Sequence, residues 1–214
     1  MHSNKAPGFS FVEAMISITI VGIISVIAFY NLRTSRMNDE LRTAARLVAA
    51  DLRSAQTRAL HGENVKWCPN PSAIWIVCED STVGCAVAGQ CVAYPSGGFG
   101  VHFYTGTSIY QLYSKYDNAT SDWRMVTSSE VVVARDLAKS GAANVTISGL
   151  DGAISFTKVD AAFMRQTGQM RIIACSTSTC SEQSYLNITL KHSLSLKTIV
   201  VSLNYNTGRI SIEE

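Results

Sequence analysis

The chain has 214 residues, 47% of them hydrophobic, and its 18 Lys and Arg against 16 Asp and Glu leave a formal charge of only +2. A chain of this length can bury a real core, and so small a net charge supplies no bulk attraction for nucleic acid. There is no G-x-S-x-G elbow, no G-x-x-x-x-G-K-[ST] loop and no glycine-rich dinucleotide fingerprint after a strand, so the common hydrolase, phosphate-cradling and nicotinamide chemistries lack their motifs.

From Phe9 to Tyr30 every residue is apolar or small and uncharged except Glu13, a run of 22 residues. As a helix it reaches about 33 Å, enough for the roughly 30 Å hydrocarbon core of a bilayer. Its many Ile and Val side chains are poor helix formers in water, but lipid leaves the backbone no other way to satisfy its N–H and C=O groups. A carboxylate at the centre of such a span costs about 2.5–3.5 kcal/mol. Glu13 sits near the N-terminal end instead, where a helix favours negative charge. The run is too long for the apolar core of a secretory signal, and "FYNLRTSR" after it offers no small-x-small cleavage site. Lys5 on one side and Arg33 and Arg36 on the other do not fix its orientation by charge.

Beyond Asn38, Leu41, Ala45, Val48, Leu52, Ala55 and Ala59 recur at spacings of four and three, an amphipathic helical stripe. Arg42, Arg46, Asp51, Arg53 and Arg58 are then expected to face solvent. No proline lies between Ser10 and Trp67, and Gly62 suits a C-cap. One helix over 9–61 follows, 9–30 in the membrane and 31–61 amphipathic, with a head from 62 to 214.

The head is rich in Gly, Ser, Thr and β-branched residues. Strands are expected at 73–78, 100–105, 108–114, 145–148, 152–157, 169–175, 184–192 and 197–205, with a strand or short helix at 128–137 and a turn at "GLDG", 149–152. The plainest hairpin is "VVSLNY-NTG-RISI", with Gly208 suited to positive φ. Trp67, Trp75 and Trp123 read as packing residues.

All six cysteines, Cys68, Cys78, Cys85, Cys91, Cys175 and Cys180, lie in the head. An even number in an exported domain favours disulfides. Six allow fifteen pairings, and sequence-near pairing (Cys68–Cys78, Cys85–Cys91, Cys175–Cys180) is the simplest expectation. No C-x-x-C occurs and the four histidines are scattered, so neither a metal nor a cofactor is implied.

"G-F-S-F-V-E" ahead of an unbroken apolar helix resembles the leader of type IV pilins and type II secretion pseudopilins. The resemblance implies that a dedicated peptidase cuts between Gly8 and Phe9, removing a leader of residues 1–8, and that the new Phe9 amine is methylated. Glu13 would then pair with that amine on another subunit during assembly. The helix segment, the β-rich head and a last strand led by "G-R-I" are similar to the minor pseudopilin H and FimT-like minor pilins. They imply an α+β fold with a long helix packed on a two-sheet head, held in the bacterial inner membrane with the head in the periplasm. The implied partners are other pilins, the prepilin peptidase, the assembly platform and, before assembly, the bilayer. A non-enzymatic, structural role follows, in filament initiation or at the tip. The alternatives are a major pilin and a DNA-binding minor pilin. For DNA, the candidates are Lys191, His192, Lys197 and Arg209, but the G-R-x-R pattern loses its second arginine to Ser211, and Glu213 and Glu214 follow. Plain solubilising charge is the cheaper reading of these residues.

Overall fold

The computed structural model describes residues 10–72, 75–78, 85–86, 91–115, 131–151, 156–175 and 179–213. Helix α1 spans Phe11–His61 without interruption, as expected for a stretch free of proline. It ends in a Schellman closure. Gly62 takes φ +62°, its N–H donates to the Ala59 carbonyl at 3.2 Å, and the Glu63 N–H donates to the Arg58 carbonyl at 3.1 Å. A left-handed residue at this place is cheapest as glycine.

The chain forms two compact units, Met1–Asp39 and Glu40–Glu214. In the second, α1 buries Leu41, Ala44, Ala45, Val48, Ala49, Leu52, Ala55 and Ala59. The small alanines let the sheets approach the helix axis closely, and each buried leucine contributes roughly 1.5–3 kcal/mol.

Among the described residues, three antiparallel sheets accompany the helix in this unit. β1 (Asn64–Pro69), β2 (Trp75–Val77) and β3 (Val92–Pro95) form a small sheet in the order β2-β1-β3. β4 (Gly98–Tyr104), β5 (Ile109–Lys115), β6 (Val131–Asp136), β8 (Lys158–Met164), β9 (Met170–Cys175) and β10 (Cys180–Gln183) form the largest, ordered β10-β9-β8-β4-β5-β6. β7 (Val145–Asp151), β11 (Tyr185–His192), β12 (Thr198–Asn204) and β13 (Arg209–Glu213) form the third, ordered β13-β12-β11-β7. The head thus adds a small third sheet to the two expected.

Period-two alternation builds the core. Phe99, Val101 and Phe103 of β4, Val159, Ala161 and Phe163 of β8, and Leu186, Ile188 and Leu190 of β11 join the helix stripe in one cluster. Gly100, on the opposite face of β4, lies under the Tyr113 ring, where any β-carbon would overlap it. At the edge strand β13, Arg53 Nη2 donates to the Ile210 carbonyl at 3.3 Å, satisfying one backbone acceptor of that strand.

Several elements differ from expectation. "GLDG" is not a turn at its start: β7 runs through Gly149 to Asp151, Leu150 is buried, and the register against β11 shifts beside Gly149. The glycine marks a bulge in a strand. Residue 152 of that turn, residues 152–155 of the strand expected at 152–157, and the starts of the 73–78 and 128–137 readings lie outside the described residues, while Phe156 and Thr157, the described end of the 152–157 reading, are not in a strand. The 128–137 segment is a strand where it is described, β6. β8, central in its sheet, carries "VDAAFM", whose alanines hide the strand signal.

The cysteine pairing is also corrected. The disulfides are Cys68–Cys85, Cys78–Cys91 and Cys175–Cys180. Cys68 faces Ile76 across β1 and β2, and Trp67 faces Val77, so Cys78 is a diagonal neighbour of Cys68. Diagonal Cα atoms are about 7–8 Å apart, beyond the usual reach of a disulfide. Cys175 and Cys180 do face each other, in register across β9 and β10, and there the sequence-near expectation agrees with the structure.

Candidate functional site: an exposed apolar helix with one carboxylate

Taken by itself, the N-terminal unit is helical from Phe11 on, and among the described residues nothing covers its apolar side chains. Phe11 is 78% exposed, Ile18 73% and Phe29 74%. An exposed apolar surface of this extent marks a membrane or a protein contact. Three of its hydroxyls are satisfied within the helix: those of Ser17, Thr19 and Ser25 donate to the carbonyls of Glu13, Met15 and Val21 at 2.8, 2.8 and 2.7 Å. A segment whose hydroxyls need no water suits hydrocarbon, and by length and composition this is the one membrane-grade helix among the described residues.

Glu13 is the single Asp, Glu, Lys, Arg or His from Phe11 to Leu32 and lies in the first turn. Among the described residues none bonds to its carboxylate. Gly8 and Phe9 lie outside the described residues.

Residues 3–29 match the family described as the prokaryotic N-terminal methylation motif. The matched stretch contains Gly8, Phe9 and Glu13. No curated protein and no solved structure matches the chain. The methylation motif and the long apolar helix fit the broad superfamily of type IV pilins and pseudopilins. Together with the β-rich head they support a structural role of the minor pilin or pseudopilin kind, and are consistent with a non-enzymatic, single-pass membrane protein whose head is periplasmic.

The head of this pilin-like chain brings together side chains that look unrelated in sequence. Asp51, expected to face solvent, is buried. The Tyr110 hydroxyl donates to its Oδ2 at 2.7 Å, and Arg135 Nε donates to the same oxygen at 3.2 Å. Burial, then the bond to Asp51, pushes the Tyr110 phenol far above its ordinary pKa, so it remains a donor across physiological pH. These bonds tie α1 to β5 and β6.

His102 and Asp160 face each other across β4 and β8, with Nδ1 and Oδ1 2.6 Å apart and the residues 3% and 2% exposed. Burial, then the nearby Asp160, raises the Tyr104 phenol. Each residue alternates with core-facing neighbours, so neither carries a signal until the register is known. Sealed from solvent, the pair has no substrate access and acts as a structural cross-link between strands. Asp160→Leu leaves the buried imidazole without its partner and is expected to cost about 3 kcal/mol. His102→Leu combined with Asp160→Leu should recover much of that loss. Chemical unfolding of the detergent-solubilised chain reads both, and an Asp160→Leu cost indistinguishable from zero would refute the assignment.

The cysteine sulfurs of Cys68, Cys78 and Cys85 gather within 4.8 Å of one another, but all are in disulfides and offer no thiolate to a metal. The candidate DNA contacts are not gathered. Tyr185, Asn204 and Arg209 share one rung of the sheet, while Lys191 faces Thr198 beside Lys197. Six residues of β11, about 20 Å, separate the two ends. His192 is fully buried.

Proposed function

We propose that this chain is a structural minor subunit of a type IV pilus or a type II secretion pseudopilus, acting in filament initiation or at the tip. The supporting observation is the methylation motif over residues 3–29, carried by a helix whose first half is apolar and exposed and whose second half is built into a disulfide-bonded head. In this reading residues 1–8 are a leader, 9–30 span the inner membrane, and 62–214 form the periplasmic head. Prepilin peptidase removes the leader after Gly8, Phe9 is N-methylated, and the exposed face of 11–32 exchanges lipid for the helices of other pilins on the assembly platform. Such an exchange replaces one apolar environment by another, so helix packing and the Glu13 pair, not burial from water, decide whether the subunit enters the fibre.

The test is the mass and location of the native protein. Sheared filaments, or pseudopili pelleted from an overproducing strain, should contain the chain in small amounts relative to the principal subunit, beginning at a methylated Phe9. A chain that dominates the filament would make it a major pilin, and one found only as uncut membrane protein would overturn the reading.

A further inference from the structure

The outward face of β11, β12 and β13 carries a groove of about 540 Å³, inside the range of about 300–1,000 Å³ usual for small-molecule sites. Strand register builds it. Leu186, Ile188, Leu203 and Ile210 turn into the core, so alternation turns Tyr185, Asn187, Ser202, Asn204, Arg209 and Ser211 outward. Asn187, Ser202 and Ser211 face one another along a single rung. This rung is half-buried, while Tyr185, Asn204, Arg209 and Glu213 to either side of it are exposed. The two short serines thus make a floor, and the longer side chains make walls. The turn between β12 and β13 closes one end. There the Thr207 N–H donates to Asn204 Oδ1 at 3.1 Å, and the Arg209 N–H donates to Thr207 Oγ1 at 3.3 Å.

The polar side chains of the groove are unengaged. Elsewhere on this unit such groups serve each other: Arg171 holds Glu182 through two bonds, at 2.9 and 2.8 Å, and the Ser148 hydroxyl donates to the Thr189 carbonyl at 3.2 Å. Among the described residues, the side chains of Asn187, Ser202, Ser211, Arg209 and Glu213 have no such partner. Arg209 and Glu213 stand about 13 Å apart along β13, too far to pair with each other. The chemistry of these groups selects a ligand class. Asn187 and the two serines each donate and accept, Arg209 only donates, and Glu213 only accepts. A sugar hydroxyl also both donates and accepts, so a neutral oligosaccharide matches every type of group present. The Tyr185 ring, 42% exposed, offers an apolar surface to the C–H face of a sugar ring. A polyanion is disfavoured: Arg209 is the one cation lining the groove, Glu213 offsets it, and Asp151 continues the floor rung on β7. An apolar ligand would strand the floor groups without partners. An extended peptide finds no free backbone edge on a face whose strands are already paired.

We infer that this groove binds a neutral oligosaccharide, with Asn187, Ser202, Ser211, Arg209 and Glu213 hydrogen-bonded to its hydroxyls and Tyr185 against one of its rings. The three strands span about 10 Å across and the walls about 13 Å along β13, room for more than one sugar ring. The groove lies wholly within the Glu40–Glu214 unit, so its chemistry is independent of whether residues 9–30 form a membrane anchor. In a filament subunit it adds a ligand-holding role to the structural one.

The test uses the full chain in lauryldimethylamine oxide, a detergent without a sugar head, with maltotriose, cellotriose and tri-N-acetylchitotriose as probes read by saturation-transfer NMR. The expected result is binding of at least one probe with a Kd of about 0.1–1 mM, as suits an open groove with few contacts. Asn187→Ala and Tyr185→Ala should each weaken it about fivefold to tenfold. Ser202→Tyr, a residue suited to strands, fills the floor and should abolish it. Lys139→Ala, outside this sheet, should leave it unchanged. Non-reducing mass mapping of the three disulfides shows that each variant has folded. Transfer to none of the three probes would overturn the site. Transfer that survives both Asn187→Ala and Ser202→Tyr would overturn its placement in this groove. Binding of single-stranded oligothymidylate that falls steeply with salt, without binding of any sugar, would overturn the saccharide assignment in favour of a polyanion site.

Discussion

A Gly8→Val chain is expected to remain in the inner membrane, to run about eight residues heavier than the mature protein and to be absent from the assembled fibre. The peptidase must take an extended backbone across the scissile bond, and residue 8 lies directly on its acyl side. Glycine presents no β-carbon there, whereas valine presents a branched one that is stiff at χ1. The apolar run from Phe9 to Tyr30 is untouched, so membrane insertion is unaffected, and the disulfides of the head form as before. In the proposed reading cutting creates the Phe9 amine, so a block at residue 8 removes the partner proposed for Glu13. Intact-mass measurement of membrane and sheared-fibre fractions reads both effects. Residues 1–8 still attached to the unmutated protein in the fibre would end the pilin reading of this N-terminus.

Glu13→Gln separates assembly from processing. The side chain is nearly isosteric and neutral, so it is easier to place in lipid than the carboxylate it replaces. Cleavage after Gly8 and membrane retention should be normal. Incorporation into the fibre should fall by tenfold or more, about 1.4 kcal/mol for each tenfold, because the Phe9 amine of a neighbouring subunit then enters an apolar bundle without a counter-charge. Fractionation of sheared filaments against membranes decides the matter, and incorporation equal to the parent chain would show that Glu13 has no assembly role.

Both predictions rest on a part of the molecule that is legible in the sequence, because its physics is local. A helix needs only the next turn to satisfy its backbone, so the apolar run, the stripe from Leu41 to Ala59 and the stop at Gly62 could be read directly, and α1 spans Phe11–His61. The hairpins β4–β5 and β12–β13 were readable for the same reason, with Gly106 and Gly208 both at positive φ in their turns. What only the tertiary structure decided depends on register between strands distant in sequence. That register placed Cys78 diagonal to Cys68, so that Cys85 and Cys91 became their partners. It turned Gly149 from a turn residue into a bulge, brought Tyr110 and Arg135 to Asp51, and set His102 opposite Asp160. It also put Lys191 and Arg209 at opposite ends of one sheet. Side-chain period and turn chemistry say which face of a strand is buried, but they do not say which strand lies beside it. That choice belongs to the packing of the whole core, where a shift of one residue would turn every buried side chain to the solvent.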